Sequence, residues 1–114
     1  MPNDVPVFSL WNEFVGWVLD HTEKFPKKVC TNFSLRIEAL AINILEDIVR
    51  ASYSKQKNDY LENANLNLNV LRVLLRLACS RQYLANNSYE FAMRKVDEAG
   101  KMIGGWQKSL REKI

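Results

Sequence analysis

The chain contains no proline after Pro26, and this feature most restricts the folds open to it. None of its four glycines lies between residues 27 and 99, so this long stretch lacks both of the residues that most often form turns. A β-sandwich or β-barrel needs turn residues at short, regular spacing. The sequence therefore predicts an all-α protein with long helices and few turns.

The size and composition of the chain fit one globular domain, predicted over residues 1–114. Of its residues, 47% are hydrophobic and 25% are charged. A chain of this length buries roughly 65% of its unfolded surface, which suffices for folding without a metal or a disulfide. Cys30 and Cys79 do not form a disulfide framework, and no secretory signal or membrane span is visible. We expect a cytoplasmic protein with reduced thiols.

Hydrophobic periodicity divides the chain into four predicted helices, at about residues 6–23, 31–53, 59–83 and 88–112. Pro6 suits the first position of the first helix, because its fixed φ angle is already helical. Thr31 or Asn32 suits the N-cap of the second helix. Four amphipathic helices of this length predict a four-helix bundle.

An unbroken row of apolar residues with heptad spacing runs along the fourth predicted helix. The segment Asn87–Glu90 predicts a capping box at its start. Gly100, Gly104 and Gly105 lie inside this helix, where small residues allow a neighbouring helix or ring to approach closely. The alternative is a kink at Gly104 and Gly105.

The second half of the third predicted helix is apolar around most of its circumference, so it is expected to be buried on more than one side. Each helix of a four-helix bundle can expose one face to solvent. The additional apolar surface of this helix therefore indicates subunit contacts and a homo-oligomer. The second helix carries another apolar row that recurs every seven residues. The predicted subunit-contact residues are Leu66, Val70, Val73 and Leu77 on the third helix and Leu35, Ile42 and Val49 on the second.

The third predicted helix also carries one polar row, at alternating spacings of four and three: Asn58, Glu62, Asn65, Asn69, Arg72 and Arg76. Arg72 and Arg76 lie one turn apart on one face, so each guanidinium could bind one phosphate. Such binding would be electrostatic, indifferent to base sequence and dependent on salt. The alternative is that the two arginines pair with Glu38, Glu46 or an acid across a subunit interface, which leaves no free positive charge.

The positive charge is concentrated in the second half of the chain. The net charge of +3 divides into −2 for the first 66 residues and +5 for the remainder. A basic half suggests an anionic partner, although such asymmetry also occurs on ordinary solvated faces. Lys27 and Lys28, beside a predicted turn, form a second candidate patch. Base stacking would need exposed rings, and Trp17 and Tyr83 are the two for which exposure stays open.

No group of residues predicts catalysis or metal binding. His21 is the single histidine and has no partner at the spacing of a metal site. A Cys30–His21 nucleophile pair is formally possible, but a cysteine beside a turn is more often structural. The segment Gly100–Gly105 lacks the preceding strand of a phosphate-binding loop. We therefore expect a non-enzymatic protein without cofactor, metal or small-molecule substrate.

Five segments follow one another in an order that resembles a known family. They are Phe25-Pro26-Lys27-Lys28, Arg36-Ile37-Glu38, Tyr60–Asn65, Leu71–Ala78 and Gly100–Trp106. Together they resemble the four-helix-bundle family that includes the accessory variability determinant (Avd) proteins of diversity-generating retroelements. That family also contains the proteins encoded in intervening sequences of bacterial 23S ribosomal RNA genes. The resemblance covers about residues 8–110 and is more similar to the Avd branch.

The resemblance implies a barrel-shaped homopentamer of antiparallel, up-down four-helix protomers without catalytic activity. It also implies association with the reverse transcriptase of the retroelement and with its template RNA or cDNA during mutagenic retrohoming. In the family a positive surface serves these partners, and the matching positions here are Arg72 and Arg76, then Lys27, Lys28 and Arg36. The alternative is an intervening-sequence-type oligomeric bundle that acts only as a protein-interaction scaffold.

Overall fold

The computed structural model describes residues 5–112. Within them the chain forms four α-helices and a short 3-10 helix, and no strand, which confirms the prediction of an all-α fold. Residues 1–4 and 113–114, which the predicted domain includes, lie outside the described residues. The elements are α1 (Pro6–Thr22), the 3-10 helix (Lys27–Val29), α2 (Phe33–Tyr53), α3 (Lys57–Ser80) and α4 (Asn86–Glu112).

The four helices surround one core. Each helix contacts the next one along the chain, and α4 closes the arrangement by contacting α1. The short connections make consecutive helices antiparallel. The described residues form an elongated body of 49 × 23 × 21 Å, as expected for helices that lie side by side.

The core consists of the inner apolar rows of the helices, as the periodicity predicts. On α1 the row Val7, Trp11, Phe14, Val15 and Val18 is buried. The indole Nε1–H of Trp11 donates a hydrogen bond of 2.8 Å to the carbonyl oxygen of Ala41 and so ties α1 to α2. The other helices contribute a set of fully buried residues that includes Ile37, Ile44, Ile48, Leu61, Leu71, Val96 and Ile103.

The start of α2 agrees with the sequence, whereas the start of α4 differs from it. Asn32, one of the two predicted candidates, is the N-cap of α2, and its side chain accepts a hydrogen bond from the Phe33 N–H. Helix α4 begins at Asn86, two residues earlier than expected, so the predicted capping box is wrong. Asn87 lies inside the helix, and its Oδ1 accepts a hydrogen bond from the neighbouring Ser88 N–H instead.

The glycines of α4 do not all serve the close packing expected of them. Helix α4 is continuous through Gly104 and Gly105, and a Cβ atom at either position would meet nothing within 4 Å among the described residues. At Gly100, by contrast, a Cβ atom would lie 3.4 Å from Nη2 of Arg72. Close approach is therefore realised only at Gly100.

The end of α3 is a Schellman motif that directs the chain toward α2. The Tyr83 N–H donates to the Ala78 carbonyl at 2.9 Å, and the Gln82 N–H donates to the Cys79 carbonyl at 3.0 Å. Gln82 has a φ of 65°, in the left-handed region that favours glycine. The helix thus ends three residues before the predicted bound and leaves Tyr83 at the end of the bundle.

Replacement of Gln82 by glycine is expected to stabilise the protein. The left-handed conformation costs an L-residue about 1–2 kcal/mol, part of which is offset by the greater freedom of glycine in the unfolded chain. We expect Gln82→Gly to raise the free energy of unfolding by about 0.5–1 kcal/mol, measured by urea denaturation. Gln82→Ala keeps the Cβ atom and serves as the control. Equal stabilities of the two variants would contradict this account of the turn.

Candidate functional site

Half of the predicted polar row of α3 is hydrogen-bonded to α4, through Asn58, Asn65 and Arg72. Gln107 of α4 bridges two turns of α3. Its Nε2 donates to Oδ1 of Asn58 at 3.0 Å, and its Oε1 accepts from Nδ2 of Asn65 at 2.9 Å. We call this hydrogen-bonded contact, together with the Arg72–Asp97 pair described next, the α3–α4 seam.

Arg72 is held by an acid of α4. Its Nη2 and Nε lie 3.0 and 3.2 Å from Oδ1 of Asp97, and its Nη1 donates to Oδ1 of Asn69 at 2.6 Å. The guanidinium reaches this position over Gly100. Arg72 is therefore paired, but with Asp97 of the same chain, an acid that is not among the predicted partners. Arg72 is thus a paired charge in the described protomer, and its assignment as a phosphate ligand stays a prediction.

The acids proposed as alternative partners, Glu38 and Glu46, make other contacts, as does the neighbouring Asp47. The carboxylate of Glu38 accepts a hydrogen bond from the Thr22 hydroxyl and so links α2 to α1. Glu46 lies 4.0 Å from the guanidinium of Arg50 on the same helix. Buried Asp47 accepts a hydrogen bond of 2.7 Å from Asn63 of α3. Neither Arg36 nor Arg76 makes an ion pair within residues 5–112.

One end of the bundle carries basic residues that have no acidic partner. Segments 24–36 and 76–89 meet there and contain six basic residues but no acid. All six are exposed, and none makes an ion pair within residues 5–112. We call this region the basic end; its residues are Lys24, Lys27, Lys28, Arg36, Arg76 and Arg81.

A groove of about 440 Å³ opens at the basic end, where the start of α2 meets the end of α3. Behind its aromatic wall lies the buried ring of Phe25, 5.8 Å from the Tyr83 ring and 6.4 Å from the Phe33 ring. The Phe33 and Tyr83 rings meet edge to face at 6.1 Å. We call this cavity the arginine–aromatic groove. The groove is lined by Phe33, Tyr83, Val29, Leu77, Arg36 and Arg81, with Asn32 beside them.

The structure brings together residues that sequence analysis kept apart. Arg36 was matched only through the resemblance, and Arg81 was not predicted as a site residue. The sequence does carry one signal for Arg81, because this residue lies in segment 76–89, which contains no acid. Tyr83, left open as a stacking ring, lines the groove. Trp17, the other open ring, instead stacks on His21 with centroids 3.8 Å apart.

The predicted subunit-contact residues form two exposed apolar surfaces. The α3 stripe comprises Leu66, Val70, Val73 and Leu77, with exposed fractions of 60%, 41%, 53% and 45%. The α2 row comprises Leu35 and Ile42, 52% and 39% exposed, and the half-buried Val49.

The two apolar surfaces lie on different sides of the bundle. Val49 borders Phe8 and Asn12 of α1, so the α2 row faces the α1 side. The α3 stripe is opposite the buried face of its own helix, because its members alternate with the core residues Leu68, Leu71 and Leu75.

The formally possible Cys30–His21 pair does not form, because each residue binds a backbone carbonyl instead. Nδ1 of His21 lies 2.8 Å from the Trp17 carbonyl oxygen, and Sγ of Cys30 lies 3.5 Å from that of Pro26. Within residues 5–112, no three potential metal ligands come together. None of the helices in this part of the chain is both long enough and apolar enough to cross a membrane.

A family model described as bAvd-like matches residues 9–110, which span all four helices and both segments of the basic end. No curated protein and no solved structure matches the chain.

Proposed function

The chain belongs to the bAvd-like family, and from this premise we propose that it is a non-enzymatic accessory protein of a diversity-generating retroelement. In this proposal it binds template RNA or cDNA electrostatically and associates with the reverse transcriptase during mutagenic retrohoming. Family membership supports the accessory role and the polymerase partner. The nucleic-acid part is supported by the basic end.

The observation that carries the nucleic-acid proposal is the absence of acids from segments 24–36 and 76–89. A guanidinium that is already paired must give up its acid before it binds a phosphate, whereas an unpaired one exchanges only water and counterions. Arg36, Arg76 and Arg81 are unpaired within residues 5–112, unlike Arg72. Their positive potential therefore adds up with that of the nearby lysines.

We propose that the protein assembles as a homopentameric ring. A self-complementary dimer needs one surface, whereas a ring joins two different surfaces of neighbouring copies. The α3 stripe and the α2 row supply two such surfaces on different sides of the bundle. Cyclic symmetry places equivalent residues at one height along the axis, so the basic ends of all copies would form one positive rim. The number five comes from the family likeness.

A salt-dependent RNA titration tests the nucleic-acid proposal. We expect Arg36→Gln with Arg81→Gln to weaken binding of a structured RNA by about tenfold or more at low salt. The slope of log K against log salt should fall by about 0.7–0.9 for each lost phosphate contact. Fluorescence anisotropy at two or more salt concentrations measures both quantities.

Two variants are matched controls for this titration. Arg72→Gln removes an arginine held by Asp97, and Arg50→Gln removes one beside Glu46 at the other end of α2. Neither is expected to change the salt slope. If Arg72→Gln weakens binding while the Arg36 and Arg81 double variant does not, the assignment of the basic end is wrong. Salt-independent or absent RNA binding by the wild type would favour the scaffold alternative.

A charge in the centre of the α3 stripe is expected to dissociate the ring. Val73→Glu places a carboxylate at a position that is 53% exposed in one chain, so folding should change by less than about 0.5 kcal/mol. Light scattering should give five times the chain mass for the wild type and a smaller mass for Val73→Glu. Leu19→Glu, at an exposed position of α1 outside both surfaces, should leave the mass unchanged. A monomeric wild type would contradict the assembly proposal.

A further inference from the structure

We infer that the arginine–aromatic groove receives one unpaired base of single-stranded nucleic acid, with the flanking phosphates on Arg36 and Arg81. The inference rests on the proposed nucleic-acid binding. It adds a defined position on the protein and a preference for single strands, neither of which follows from positive charge alone.

The aromatic wall of the groove is held in place before any ligand arrives. The Phe33 and Tyr83 rings are half-buried, so each keeps part of its surface in the groove. Phe25, only 4% exposed, supports both rings from behind. The Schellman motif at Gln82 fixes the backbone of Tyr83. Rings that are already ordered lose little freedom when a base stacks on them.

The charge of the groove selects an anion. Arg36 belongs to α2 and Arg81 follows α3, so the two guanidiniums reach the groove from different helices. Neither makes an ion pair within residues 5–112. A free phosphate gains nothing from contact with aromatic and aliphatic walls. A neutral apolar ligand gains nothing from two arginines. A nucleotide unit combines a planar π-face with a phosphate on each side.

The base must be unpaired to enter. In a duplex both faces of a base are covered by its neighbours, whereas single-stranded bases can turn out and stack on aromatic side chains. Stacking of one base corresponds to roughly five- to a hundredfold in affinity and tolerates any base identity. The groove therefore predicts a preference for unpaired segments without a preference for one sequence.

The groove also borders the proposed subunit contact, because Leu77 belongs to both the groove and the α3 stripe. A neighbouring copy is thus the competing occupant. The unpaired arginines favour nucleic acid, since the α2 row that would meet the α3 stripe is apolar. The oligomer mass of each variant separates these two occupants.

An abasic oligonucleotide tests the inference directly. The probes are a short oligoadenylate and an abasic strand of equal length, which carry the same phosphates but differ in stacking. We expect the wild type to bind oligoadenylate about tenfold more tightly than the abasic strand. Phe33→Leu with Tyr83→Leu, which keeps apolar volume but removes the π-faces, should abolish this difference and leave abasic binding unchanged. Arg36→Gln with Arg81→Gln should weaken both probes.

The controls separate failure of the inference from failure of the proposed function. Tyr53→Leu removes a ring at the far end of α2 and should preserve the tenfold difference. Equal binding of the two probes by the wild type would overturn the groove assignment while electrostatic binding stands. Failure of the wild type to bind either probe would overturn the proposed function as well.

Folding and assembly are checked for every variant by thermal unfolding and light scattering. If the double ring variant is unfolded, Tyr83→Leu alone is used and should reduce the difference between the probes severalfold. A change of oligomer mass in the arginine variant would assign the groove to the subunit contact and overturn the inference.

Discussion

The structure depends on the rotation of α3 about its own axis, which its buried leucine row and the α3–α4 seam fix together. A helix is rigid, so the placement of two of its rows determines the third. Leu68, Leu71 and Leu75 face the core, and Asn65 and Arg72 face α4. The stripe from Leu66 to Leu77 must then face outward. The exposed apolar surface of the protomer thus follows from the buried leucine row of α3 together with the hydrogen bonds on the adjacent face.

The α3–α4 seam also determines which arginines are paired with an acid and which are not. Asp97 pairs with Arg72 across the α3–α4 contact, while Arg36 and Arg81 belong to segments 24–36 and 76–89, which contain no acid. Local sequence places Arg72 and Arg76 in the same row, yet only Arg76 stays unpaired within residues 5–112. The charge of Arg72 is balanced by a neighbouring helix, whereas the charge of the basic end is not balanced by an ion pair within residues 5–112. Nucleic-acid binding by that end remains the proposal that joins the structure to the family.

Much of the fold follows from sequence because periodicity is a local property. The core row of α1 and the outward position of Leu66, Val70, Val73 and Leu77 could be deduced from spacing alone. The partner of Arg72 could not, because it depends on the register between α3 and α4. The groove was missed for a similar reason: Arg36 and Arg81 are 45 positions apart in the chain, and only the packing of two helix ends brings them to one site. The capping box was a local prediction that failed, since α4 begins two residues earlier.

The central claim is that the basic end, and not the α3–α4 seam, contacts nucleic acid. Photo-crosslinking of the wild-type protein to an RNA that contains 4-thiouridine, followed by mass spectrometry of the crosslinked peptides, tests it most directly. The account predicts crosslinks within residues 24–36 and 76–89, with Tyr83 among the modified positions. Crosslinks confined to the α3–α4 seam, around residues 58–72 and 97–107, with none at the basic end, would contradict it.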